Sequence, residues 1–222
     1  MKLFKIAIAT AVIATALPAS ASVFMLDFEG IEGVNPQVGN FYNGGAGVNY
    51  GVSFGSGAQA WHRSDWVGLW SNEPSPDAIL VFNGSSNPDD AFLNYSAGFT
   101  TGFSFFYTSY DTSIVTVYDG LDGTGNVLAT MNLLSQYDSG CTAPGTFCNW
   151  TNAGMSFVGT ALSVRFYPNG SNGYQGFDNV TFGSAVALDS PSVAAIPEPE
   201  TYALMLAGLA VVGAAARRRK AK

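Results

Sequence analysis

Basic side chains are the scarcest resource in this sequence. Between residues 22 and 196 only Arg63 and Arg165 are cationic, against fourteen Asp and Glu, a net charge of −12 in a chain whose total is −7. Two cations cannot neutralise a phosphate backbone, which excludes nucleic-acid binding for this region. Charge of either sign is thin, at 11% of residues, and with 26 Gly this argues against a coiled coil or a long helical bundle. The glycines follow no three-residue period, so a collagen-like helix is excluded as well. Histidine occurs once, at His62, and cysteine twice, at Cys141 and Cys148. That inventory gives no basis for a zinc site built from four Cys and His ligands.

Aromatic and apolar bulk is abundant instead. The chain is 47% hydrophobic and carries 16 Phe, 10 Tyr and 4 Trp, enough buried surface to offset the entropy of folding. Helical periodicity is absent from the middle of the chain. Short alternating or apolar runs recur there: 23–28, 50–54, 78–82, 91–95, 102–107, 114–118, 127–132, 162–167 and 177–182. Clusters such as Asn43-Gly44-Gly45, Asp122-Gly123-Thr124-Gly125 and Pro168-Asn169-Gly170 punctuate them as turns. Ile114 to Met131 reads as a hairpin around a Gly/Asp turn. The pattern predicts an all-β fold, a single β-sandwich of jelly-roll topology over residues 22–183. An immunoglobulin-like sandwich is the alternative.

The two ends read differently from the middle. Lys2 and Lys5 precede an apolar run of twelve residues, Ile6 to Leu17, and Ala19-Ser20-Ala21 supplies small residues for cleavage. This is the three-part pattern of a signal peptide over 1–21, with an N-terminal signal helix. At the other end a linker, 184–196, leads to Pro197-Glu198-Pro199. Tyr202 to Ala216 then runs fifteen residues without charge, before Arg217, Arg218, Arg219 and Lys220. Such a helix rises about 22 Å against a bilayer core of about 30 Å, so it spans only with flanking residues recruited.

A Pro-Glu-Pro motif, a short apolar helix and a terminal Arg cluster, in that order over 197–222, resemble the PEP-CTERM sorting signal of Gram-negative bacteria that make exopolysaccharide. The resemblance implies recognition by an exosortase, a membrane-embedded cysteine peptidase that cuts near Pro197-Glu198-Pro199. It further implies membrane attachment through the C-terminal helix before processing, and delivery to the cell envelope or a biofilm matrix afterwards.

Export places Cys141 and Cys148 in an oxidising compartment, where the intervening Pro-Gly lets the chain fold back into a disulfide. Candidate chemistry is sparse. Gly51-Val52-Ser53-Phe54-Gly55 spells a nucleophile-elbow motif, but it sits on an alternating strand with no helix pattern after it. Most of the acids lie in turns, where Asp serves local backbone geometry. Trp61, His62, Trp66 and Trp70 fall within ten residues, the pattern of a loop that packs indole rings on sugar C–H faces. Core packing competes for at least two of these rings.

Asp27-Phe28-Glu29-Gly30 on the first strand and Gly176-Phe177-Asp178-Asn179 on the last resemble the segments that hold structural Ca²⁺ in jelly-roll carbohydrate-binding modules. The resemblance implies Glu29 and Asp178 as Ca²⁺ ligands. The expected function is that of a non-catalytic exported surface or matrix protein with candidate glycan binding to extracellular polysaccharide. A secreted polysaccharide hydrolase using paired carboxylates is the alternative.

Overall fold

The computed structural model describes residues 23–82, 90–142, 146–168, 174–190 and 208. The expected signal helix lies outside these residues, and of the expected C-terminal helix only Gly208, helical and exposed, lies within them. Among the described residues no helix is long and apolar enough to cross a membrane. The described residues form β1 (Phe24–Leu26), β2 (Val52–Phe54), β3 (Ala58–His62), β4 (Ala78–Phe82), β5 (Phe92–Ser109), β6 (Ser113–Tyr118), β7 (Val127–Leu133), β8 (Thr151–Pro168) and β9 (Gln175–Phe182). Every pairing between these strands is antiparallel, and the strand order is β3-β4-β9-β5-β8-β6-β7. This is the interleaved order of the expected jelly roll.

One continuous sheet makes both layers because β5 and β8, at 18 residues each, are long enough to fold over. Their pairing loses register between Asn94 and Phe99 and again between Phe99 and Thr101. Gly98 (φ 76°) and Thr101 (φ 74°) supply the left-handed backbone of this corner. The front layer is β2, the start of β5, the end of β8, β6 and β7. The back layer is β3, β4, β9, the end of β5 and the start of β8, with β1 also on β9.

Aromatic rings fill the space between the layers. Phe166 of the front layer stacks on Phe82 at 4.7 Å and meets Phe177 at 4.8 Å, both from the back layer, and all three are fully buried. Val115 and Val117 of β6 close the front side of this core. All four tryptophans lie elsewhere, in a second cluster with Ile79, Val81 and Phe147. Alternation along β4 and β9 puts that cluster on the outer face of the back layer. Gly176 makes it fit: a Cβ there would stand 2.9 Å from the Trp70 ring and 3.1 Å from that of Trp150.

The Cys141–Cys148 disulfide closes the loop over this second core, with Cα atoms 5.6 Å apart. The loop is pinned by backbone bonds, Phe147 N to Leu69 O at 2.8 Å and Ser71 N to Phe147 O at 3.0 Å. Ser53, at the centre of the elbow-like motif, lies mid-strand in β2 opposite Asn94, with no strand-to-helix turn. Beyond β9 the chain stays on the sheet. Gly183 N donates to Gly102 O at 2.9 Å, Ser104 Oγ to Ser184 O at 2.9 Å and Leu188 N to Thr181 Oγ1 at 3.1 Å.

Candidate functional site

β1 and β4 lie end to end along one edge of β9. β1 takes Val180–Phe182 and β4 takes Gln175–Phe177, so Asp178 and Asn179 face the gap between them. A register shift against β5 falls at the same place, and Asn179 adopts φ 49°. This bulge aims the Asp178 carboxylate into the gap, where Glu29 arrives from the end of β1 and Ser75 from the approach to β4.

Four acceptor oxygens converge on one hydroxyl there. Ser75 Oγ lies 3.0 Å from Glu29 Oε1, 3.0 Å from Asp178 Oδ1, 3.1 Å from Ala78 O and 3.2 Å from Asp27 O. A hydroxyl has one proton to donate, so three of the four oxygens face it without a hydrogen bond. Backbone N–H groups hold the carboxylates in place. Asp178 accepts from Ser75 N and Asn179 N, each at 2.7 Å, and Glu29 from Asp77 N and Ala78 N, each at 3.0 Å. The adjacent Asn179 carboxamide is buried with neither polar atom partnered.

Burial dominates the electrostatics of this cradle. It pushes the Asp178 carboxyl up to about 7, against hydrogen bonds from Ser75 and Asn179 that pull it down, with Glu29 adding a smaller upward push. Burial also raises Asp27, again with Glu29 contributing. The donor set is oxygen throughout, two carboxylates, two carbonyls and a hydroxyl, which is the chemistry of a hard divalent cation. Among the described residues no three His, Cys, Asp or Glu side chains gather into a metal cluster. Any cation here would depend on the carbonyls of Asp27 and Ala78 as much as on Glu29 and Asp178.

The tryptophan segment is placed differently from an open sugar-binding loop. Trp61 and Trp70 are each only 3% exposed. Trp66 stacks on Trp61 at 4.4 Å, and Phe147 stacks on Trp70 at 4.5 Å. Trp66 is half-buried and donates Nε1–H to Asn35 Oδ1 at 2.8 Å. His62 ties two segments together, with Nδ1 3.2 Å from Asp77 Oδ2 and Nε2 2.8 Å from Ile31 O. Beside it lies an open acidic cleft of about 360 Å³, lined by Glu29, Glu32, Asp65 and Asp77 among others.

A further group was not legible in the sequence. On the outer face of the front layer, Tyr118 of β6 and Tyr167 of β8 meet hydroxyl to hydroxyl at 2.9 Å. The Arg165 guanidinium lies over the Tyr167 ring, 5.6 Å from its centroid. Asn94 and Asp122 exchange two bonds beside them, at 2.7 and 2.8 Å. Burial first, and then the Tyr167 hydroxyl, hold the Tyr118 phenol above its usual range. Alternation from buried Val164 and Phe166 already turns Arg165 and Tyr167 outward; the pairing of β6 with β8 that brings Tyr118 alongside had no signal. Ile114, Thr130 and Asn132 on the same face are exposed. On the back layer the outward residues Ser104, Thr108, Asp178 and Thr181 are all fully buried.

Comparison with known proteins addresses the end of the chain. Residues 195–220 match the PEP-CTERM protein-sorting motif. The PEP-CTERM motif marks an exported chain, handed to an exosortase and processed at the cell envelope. No curated protein sequence matches this chain. Among solved structures, the body is similar to the K2 cleaved adhesin domain of Lys-gingipain, at 13% identity and TM-score 0.45, covering 73% of this chain and 100% of that one. It is also similar to a family 29 carbohydrate-binding module from Piromyces equi, at 10% identity and TM-score 0.41, covering 73% and 90%. A family 11 carbohydrate-binding module from Clostridium thermocellum has 14% identity and TM-score 0.34, covering 76% and 99%.

Proposed function

We propose that this protein is a non-catalytic glycan-binding component of the envelope or extracellular matrix of a Gram-negative, exopolysaccharide-making cell. A signal peptide over 1–21 exports it, and the C-terminal helix holds it in the inner membrane until an exosortase releases it. The observation that carries glycan binding is the Tyr118–Arg165–Tyr167 group on the open outer face of the front layer. Phenol rings and a planar guanidinium pack on sugar C–H faces, while their polar ends and the Asn94–Asp122 pair bond hydroxyls. Ca²⁺ held by Glu29, Asp178 and the carbonyls of Asp27 and Ala78 ties β1 and β4 to β9. It is structural, because Asp178, one of the two carboxylates it would engage, is fully buried in the sheet and Glu29 is partly buried at its edge.

Native affinity gels cast with soluble galactomannan, mixed-linkage β-glucan or xylan test this reading. The protein is retarded by at least one polymer, and Tyr167→Ala weakens that retardation about tenfold, equivalent to about 1.4 kcal/mol. Retardation by none of them contradicts glycan binding of this class. Release of new reducing ends from the gel polymer supports the hydrolase alternative instead.

A further inference from the structure

The chain after β9 does not leave the sandwich at once. Gly183 to Leu188 lies flat on the outer face of the back layer, across β5 and β8. Two glycines make room for it. A Cβ on Gly154 would stand 2.0 Å from Ala185 O, and one on Gly102 would stand 2.5 Å from Ala185 N. Thr101 Oγ1 donates to Gly183 O at 2.6 Å and Ser104 Oγ to Ser184 O at 2.9 Å. Leu188 N returns to Thr181 Oγ1 at 3.1 Å, and Ala187 is buried. Backbone laid on backbone, with glycines beneath, is a built seat rather than a passing contact.

We propose that Gly183–Leu188 is a strap that leashes the PEP-CTERM motif to the back layer, so that the anchored precursor turns its back layer to the membrane and its tyrosine face away from it. The inference rests on the proposed membrane attachment of the C-terminal helix. Its geometry follows from chain length. Pro197 is nine residues beyond Leu188, a reach of at most about 30 Å whatever the conformation. The body is a two-layer sandwich whose sheets stack about 10 Å apart, so a segment leaving the back layer passes its edge to the front side only when drawn out nearly to its limit. The strap therefore makes turning the front layer down onto the bilayer entropically costly, and the back layer is the side held toward the membrane. Glycan is thus met on the face directed outward before the exosortase releases the protein.

The test uses the full chain in phosphatidylcholine vesicles carrying a headgroup-attached energy acceptor. A donor dye is placed on Asn152→Cys, on the outer back layer, or on Asn132→Cys, on the outer front layer; the native cysteines are already bonded to each other. Transfer is at least about twofold greater from position 152, because the two dyes are separated by sheets that alone stack about 10 Å apart. Inserting a long Gly/Ser segment between Leu188 and Asp189 leaves the strap and body untouched and removes the difference. Gly154→Val, which unseats Ala185, removes it too. Equal transfer from both dyes in vesicle-bound native-length chain overturns the leash while leaving attachment intact, as does a difference that survives the insertion. A chain that does not associate with the vesicles overturns both the leash and the attachment.

Discussion

Ser75 carries more of this structure than its size suggests. Its hydroxyl and amide gather Glu29 and Asp178, 46 and 103 residues away in sequence, into one cradle. A divalent cation there raises stability by mass action, about 2.7 kcal/mol at one hundred times its dissociation constant, or roughly 5–10 °C in melting temperature. EDTA therefore lowers the melting temperature of the wild type and added Ca²⁺ restores it, while Asp178→Asn and Glu29→Gln lose that response. In EDTA-treated protein the raised Asp178 carboxyl also sets a pH dependence. Its contribution to stability is complete below its ordinary value near 3.8 and is lost as pH rises through about 7. Calorimetry between those limits shows stability falling with pH in the wild type and a flatter curve in Asp178→Asn. At the outer core, Gly176→Ala drives a methyl against the Trp70 and Trp150 rings and costs about 1–3 kcal/mol, measured by urea denaturation.

Elements explain which parts of this architecture were legible in the sequence and which were not. Each alternating or apolar run became part of a strand because its inward residues were apolar; in β4 the outward Ile79 and Val81 were apolar as well, beneath the tryptophan cluster. β3, Ala58–His62, escaped because Gln59 and His62 interrupt a run whose two faces are both partly buried. The start of β8 escaped for the opposite reason. Thr151, Asn152, Ser156 and Val158 to Thr160 are exposed, and Asn and Gly there read as turn residues. The runs at 91–95 and 102–107 are one strand, since Gly98 and Thr101 bend β5 rather than end it. Glu29 and Asp178 were legible as a pair through a resemblance; Ser75, Asp27 O and Ala78 O were not, because backbone oxygens leave no mark in sequence. The disulfide was legible from the expected export together with the Pro-Gly between the two cysteines. Replacing Cys141 and Cys148 by Ser reduces stability by about 2.5 kcal/mol on the loop-entropy relation. It also red-shifts tryptophan emission, because Phe147 no longer seals Trp70.

The whole molecule is asymmetric. Its back layer is covered by the tryptophan core, the oxygen cradle and the strap, while its front layer presents Tyr118, Arg165 and Tyr167. The −12 charge of residues 22–196 suits the cation and neutral sugars proposed for the body, and the basic cluster at the C-terminal end belongs to the PEP-CTERM motif. Hydroxyl-radical footprinting of the protein with and without the polysaccharide that retards it tests this division most directly. Protection confined to β6, β7 and residues 163–167 is the predicted result. Protection of Trp61–Asp77 with the front layer unchanged would place the binding face on the opposite side and contradict the account.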